Sequence, residues 1–155
     1  MPSPLKVGDR LFVTDDGNGP RLFAFKAGGL IDLEPAAEAE KPAPESYTPV
    51  ASADVILGIA KGLTALDAKT LEVLYTIDDE RALQDECPVI VAGGRGLVLT
   101  PAGRAVCFTF DRKGVEVTGS TKVCGNTRSH PAVAEGVLYV RDAKTVSAYR
   151  LAPAK

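Results

Sequence analysis

The sequence predicts an all-β fold of propeller-type repeats, about four blades of up to four antiparallel strands each, the last lacking its outer strand. Three observations carry this. One short phrase recurs four times along the 155 residues. Each copy is followed by further segments in which apolar and polar residues alternate, the mark of half-buried strand. Gly, Asp and Asn punctuate the segments, as turns require, while Val, Leu, Ile, Phe and Tyr fill them.

The phrase is a proline, an alternating run, a tight turn and a second run. It reads "SPLKVGDRLFV" at 3–13, "TPVASADVILG" at 48–58, "CPVIVAGGRGLVLT" at 87–100 and "HPAVAEGVLYV" at 130–140. Its prolines, Pro4, Pro49, Pro88 and Pro131, are spaced by 45, 39 and 43 residues. That period belongs to units that cannot bury a hydrophobic face alone and must stack on neighbours.

The remaining strands follow in order. A third strand is expected in "RLFAF" at 21–25, "GLTALD" at 62–67, "AVCFTFD" at 105–111 and "TVSAYR" at 145–150. An outer one is expected in "GGLIDL" at 28–33, "TLEVLY" at 70–75 and "GVEVTG" at 114–119. The repeat units are thus approximately 3–33, 48–75, 87–119 and 130–150 of a single domain over 1–155, and only "LAPAK" follows Arg150.

Between these lie the connections. "DDGNG" at 15–19, "DAKT" at 67–70, "PAGRAV" at 101–106 and "RDAKT" at 141–145 read as turns. So does "DRKG" at 111–114, with Gly114 suited to a positive φ. The Ala-, Glu- and Pro-rich "EPAAEAEKPAPE" at 34–45 reads as an exposed link. A helical turn around Arg81–Gln84 is the alternative to a plain link over 76–86. The second unit is the most regular. Over 54–60, "DVILGIA" is almost continuously apolar, as in a strand covered on both faces. Residues 48–75 are expected to form one complete blade, with Val50, Val55, Ile56, Leu57, Ile59, Leu63, Ala65, Leu66, Val73 and Tyr75 on its packed faces.

Composition narrows the function. Hydrophobic residues make up 45%, enough to fold around a core. The formal net charge is −2, with 18 basic and 20 acidic residues interspersed, so nucleic acid is not an expected partner. No apolar stretch is long enough to span a membrane, and "MPSPLKVGDRLFV" has no apolar core of a signal peptide. A cytoplasmic location is the expectation if the chain is full length.

The phrases resemble quinoprotein-like β-propeller repeats, the family of PQQ-type and outer-membrane-assembly lipoprotein-type propellers. There "SPxVxxGxLYV" leads to "GxLxALDAxTGxxxW". "TPVASADVILG" and "GLTALDAKTLEVLY" follow that pattern, with Ala65, Asp67 and Thr70 at its Ala, Asp and Thr. Leu71 stands in place of the Gly and Tyr75 in place of the docking Trp, and the chain has no Trp. The resemblance covers nearly the whole chain and implies a degenerate propeller. It also implies seven or eight blades in a closed ring. Two chains pairing into an eight-bladed ring, or a longer chain or a separate protein partner carrying the missing blades, would each supply it; a compact four-bladed ring is the third option.

No catalytic constellation is legible. His130 is the single histidine, and "CGNTRSH" at 124–130 lacks zinc-site spacing. "AGGRG" at 92–96 lacks the Lys-Ser/Thr of a phosphate loop, and "DDGNG" lacks the spaced oxygen ligands of a calcium loop. Neither cofactor nor metal is expected. Cys87, Cys107 and Cys124 read as buried thiols, with a Cys107–Cys124 disulfide as the alternative. The candidate binding-loop residues are Arg95, Arg104, Asn126, Arg128 and His130. His130 fills the slot before the proline held by Ser3, Thr48 and Cys87 in the other units. The expected function is a non-enzymatic binding or scaffold domain working through protein contacts. A relative or fragment of a PQQ-dependent dehydrogenase is the alternative. Self-association is expected through the end faces, with Leu11, Val13, Phe23 and Phe25 on one and Val137, Tyr139, Val146 and Tyr149 on the other.

Overall fold

Runs of alternating residues become strands wherever a turn former closes them, and four such meanders follow one another along the chain. The computed structural model describes residues 2–15, 17–40, 47–78 and 87–151. Blade 1 is β1 (Leu5–Val7), β2 (Arg10–Val13), β3 (Arg21–Ala24) and β4 (Ala37–Glu38). Blade 2 is β5 (Val50–Ser52), β6 (Val55–Ile59), β7 (Leu63–Asp67) and β8 (Val73–Ile77). Blade 3 is β9 (Val89–Ala92), β10 (Arg95–Leu99), β11 (Arg104–Phe110) and β12 (Val115–Lys122). Blade 4 has three strands, β13 (Ala132–Ala134), β14 (Val137–Arg141) and β15 (Val146–Arg150). The chain is a partial propeller of four antiparallel blades.

Two-residue turns join the first two strands of every blade. Gly8, Ala53, Gly93, Gly94, Glu135 and Gly136 hold positive φ in them, the twist that matches a right-handed hairpin. Ala53 and Glu135 accept this left-handed conformation despite their Cβ atoms.

Register assigns every side chain to a face, because directly opposed residues of an antiparallel pair share one. In blade 2, Val55, Leu57 and Ile59 point one way and Ile56 the other. Three clusters fill the three joints. Val7, Phe12 and Leu22 of blade 1 meet Ile56, Leu66, Ala68 and Leu71 of blade 2. Val55, Leu57, Ile59, Leu63 and Ala65 meet Val89, Val98, Val106, Phe108 and Phe110 of blade 3. Leu97, Leu99 and Ala105 meet Leu138 and Val140 of blade 4. Blade 2 is buried on both faces over all of β6 and β7, which is why its sequence is almost continuously apolar.

The structure departs from the sequence reading at several places. The outer strand of blade 1 is Ala37–Glu38, inside the stretch read as an exposed link, and not "GGLIDL". Ala27–Gly29, overlapping the start of that segment, make a 3-10 turn, and Ile31 only bridges Phe25. In blade 2 the outer strand runs on to Ile77, and Val73 stays 48% exposed because β8 is an outer strand. Gly114 does not take a positive φ. The Asp111 carboxylate closes that turn instead, accepting from the N–H groups of Lys113 and Gly114 at 2.6 and 3.1 Å. Tyr149 faces blade 3 and not outward: its hydroxyl donates to the Val123 carbonyl at 2.6 Å. Cys107 and Cys124 are free thiols, so the alternative disulfide between them does not form. The possible helical turn around Arg81–Gln84 lies outside the described residues.

Candidate functional site

Because strand direction alternates, each blade has two rims. The inner strands begin at one, the leading rim, together with the turns between second and third strands. The trailing rim carries the turns between first and second strands and between third and fourth. Arg95 opens β10 at the trailing rim and Arg104 opens β11 at the leading rim, so the two do not share a surface. Both are exposed. Arg104 donates from Nε and Nη2 to Ser120 Oγ at 3.2 and 3.1 Å.

Arg128 and His130 do come together at the leading rim. Tyr47, which precedes the first strand of blade 2, donates its hydroxyl to the Arg128 carbonyl at 2.9 Å. The Tyr47 and His130 rings meet edge-on with centroids 5.4 Å apart. Beside them the Ser3 N–H donates to Thr48 Oγ1 at 2.8 Å. Residues leading into blades 1 and 2, and into blades 2 and 4, are thereby tied across the rim. Asn126 is exposed in the link before blade 4. Its neighbours anchor that link: Thr127 Oγ1 donates to the Arg141 carbonyl at 2.6 Å, and the Gly125 N–H to Asp142 Oδ2 at 2.7 Å. Donation from Lys144, Gly125 and Thr145 N–H groups holds the Asp142 carboxyl well below the usual carboxylate range. Tyr47 had no sequence signal, since its contacts come from another blade.

The thiols face packed surroundings. Burial pushes Cys107 up, and burial with the nearby Asp142 charge pushes Cys124 up, so both are held as thiols. Among the described residues, no group of three His, Cys, Asp or Glu is placed to hold a metal ion, and no helix is long and apolar enough to cross a membrane.

The two end faces carry apolar side chains at positions that the internal joints bury. Aligning the blades on their first turns makes Phe12, Leu57, Leu97 and Tyr139 equivalent, each pointing toward the next blade. The first three are 0%, 1% and 7% exposed, whereas Tyr139 is 42% exposed. Around Tyr139 the same outward face carries Ala132, Ala134, Val137, Val146 and Ala148, with Arg141 and Arg150 at its margins. On blade 1, Leu11 and Val13 are equivalent to Ile56 and Gly58 of blade 2 and to Leu138 and Val140 of blade 4. Ile56, Leu138 and Val140 are buried in their joints. Leu11, Val13 and Phe23 are half-buried on the outward face of blade 1. Among the described residues no core cluster joins blade 4 to blade 1. The two outward faces therefore carry, at equivalent positions, the kinds of side chain that the three internal joints bury.

This architecture defines the chain as a β-propeller array. Solved structures share it. BamB from Moraxella catarrhalis superposes with a TM-score of 0.66 at 17% identity, over 95% of this chain and 41% of that one. The computationally designed Ika4 protein matches with a TM-score of 0.64 at 7% identity, over 98% of this chain and 93% of that one. The designed Ika8 protein matches at 0.58 and 6% identity, over 96% of this chain and 57% of that one. The chain thus spans about two-fifths of BamB's length. At these identities the likeness is one of fold. No protein-family model matches the chain, and no curated protein does.

Proposed function

We propose that the chain is a non-enzymatic scaffold domain that works through protein contacts, and that a second copy completes its ring. Blade 4 of each chain seats on blade 1 of the other, giving eight blades with two-fold symmetry. The observation that carries this is the positional match. Tyr139 occupies the position of Phe12, and Leu11 that of Ile56, and Phe12 and Ile56 lie in one core cluster. An exposed apolar face at each end of an array marks a contact site. Covering both faces removes them together, so the pairing is obligate and not transient. The near-complete overlap with Ika4 in both directions supports an array of this size as a fold in its own right.

Sedimentation equilibrium tests the reading. The chain has a mass of 16.2 kDa. A single species of about 32 kDa, two copies, is expected at micromolar concentration. A monomer there overturns the paired ring.

A further inference from the structure

Blade 4 ends on β15, and among the described residues nothing pairs with its far edge. The other three blades each carry a fourth strand there. The Asp142 N–H donates to the Thr145 carbonyl at 3.0 Å, and the Leu151 N–H to the Gly136 carbonyl at 2.7 Å. Hydrogen-bonded and non-bonded pairs alternate along an antiparallel ladder. Ser147 and Tyr149 therefore bond inward to β14, and Val146, Ala148 and Arg150 turn their N–H and C=O groups to the open edge. A row of unpaired backbone groups is a template for another strand.

Blade 2 shows what such a strand looks like. Its third strand matches β15 position by position: Leu63 with Val146, Thr64 with Ser147, Ala65 with Ala148. Opposite Leu63, Thr64 and Ala65 lie Ile77, Thr76 and Tyr75 of β8. The two hydroxyls, Thr64 and Thr76, are 3.2 Å apart. Small Ala65 leaves room for the Tyr75 ring, which packs into the joint with Ile77. The β15 edge repeats this arrangement of an aliphatic residue, a hydroxyl and an alanine.

We propose that the β15 edge binds an extended segment of a protein partner by strand addition. The segment runs antiparallel to β15. It presents an aliphatic residue opposite Val146, a Ser or Thr opposite Ser147 and an aromatic opposite Ala148, the order aromatic–hydroxyl–aliphatic. The inference rests on the scaffold reading and names the chemistry of its partner. The edge lies on the third strand of the blade, so it is present in the single chain and in the paired ring alike.

The test uses the native full chain and a fluorescein-labelled peptide, Val-Leu-Tyr-Thr-Ile-Asp, the sequence of residues 73–78. Fluorescence anisotropy should rise saturably with protein concentration. The same peptide N-methylated at its Tyr and Ile loses the two N–H groups that face the edge, and its affinity should fall ~10-fold or more. Ala148→Pro removes an outward N–H without touching a bond to β14, a substitution an edge strand tolerates. It should weaken the unmodified peptide comparably, with far-UV circular dichroism unchanged. If that variant does not fold, the N-methylated peptide on the native chain decides alone. No saturable rise overturns the proposal, as does equal binding of the two peptides. Ala148 also lies on the outward face around Tyr139, so the variant's binding is compared at unchanged native mass, and where the mass changes the N-methylated peptide on the native chain decides. Native mass reports the ring and anisotropy reports the edge, so either can fail without the other.

Discussion

Arg112, in the turn after β11, donates to the Asp67 carboxylate at the end of β7 across 2.6 Å. The same guanidinium reaches Asp54 at 3.2 Å. One cation of blade 3 thus gathers two acids of blade 2 at the trailing rim, beside the hydroxyl of Tyr75, which donates to the Asp111 carbonyl at 2.9 Å. Asp67 also accepts from the N–H groups of Lys69 and Thr70 at 2.7 and 2.9 Å. Its burial disfavours the charge, but these donors and Arg112 prevail and hold the carboxyl at about 2.

A carboxyl depressed on folding contributes stability above its ordinary value and loses it as pH falls through the folded one. For Asp67 that window runs from 3.8 down to about 2. Asp67→Asn should melt below the native chain at neutral pH, and the gap should close as pH falls through the window. Paired thermal melts measure it. A gap independent of pH would show that the Asp67 charge contributes nothing.

Leu71 sits at φ +63°, in the left-handed region, where the resembling repeats carry Gly. It is also 1% exposed in the joint between blades 1 and 2. Its N–H donates to the Asp67 carbonyl at 2.9 Å, closing the turn. The backbone strain costs about 1–2 kcal/mol, and burying the side chain returns about 1.5–3 kcal/mol. Leu71→Ala keeps the strain and loses the packing, whereas Leu71→Gly loses the packing and relieves the strain. Denaturant unfolding should therefore rank native above Leu71→Gly above Leu71→Ala, the last two about 1 kcal/mol apart. Equal stability of the two variants would mean that the turn stores no strain.

Gly96 is fixed by a ring and not by a turn. A Cβ there would lie 2.1 Å from Cζ of Phe108, which is fully packed in the joint between blades 2 and 3. Gly96→Ala should cost about 1–3 kcal/mol by overpacking. Combining it with Phe108→Leu should cost less than the two single changes together, since the smaller side chain vacates the contact. Additive losses in a double-mutant cycle would refute the clash.

Blade 2 was legible because both its faces are covered, so its apolar run and its "DAKT" turn each had one reading. The recurring proline phrases located the inner strands for the same reason: each opens on a fixed slot and closes on a two-residue turn. β4 was not legible. Two residues, Ala37–Glu38, are too short to show a period, and they lie among prolines and glutamates that read as solvent-facing. Tyr149 was misplaced because its face follows from register with Leu138, which composition does not reveal. The rim contacts were hidden: His130 was marked by its slot before the proline, but its meeting with Tyr47 follows from the order of blades. Arg112 read as an ordinary turn residue, and only the approach of blade 2 gives it Asp67.

The end faces supply a test that ring closure alone passes. In the paired ring, Tyr139 of each copy meets Leu11 of the other, as Phe12 meets Ile56 within the chain. Tyr139→Glu buries an unpaired carboxylate at both joints of a homodimer, and Leu11→Lys buries an unpaired ammonium at both, so each variant alone should be monomeric. Mixed in equal amounts, the two variants can pair so that one joint is native and the other sets Glu against Lys. The native joint is intact and the altered joint carries opposite charges, which repay part of each other's desolvation. The mixture should recover a species of about 32 kDa, two copies, that neither variant forms alone. Sedimentation equilibrium on the three samples measures it. If both variants stay dimeric, the chains pair through some other surface. If the mixture stays monomeric while the native chain is dimeric, Tyr139 and Leu11 do not lie across the same joint, and the eight-bladed arrangement fails.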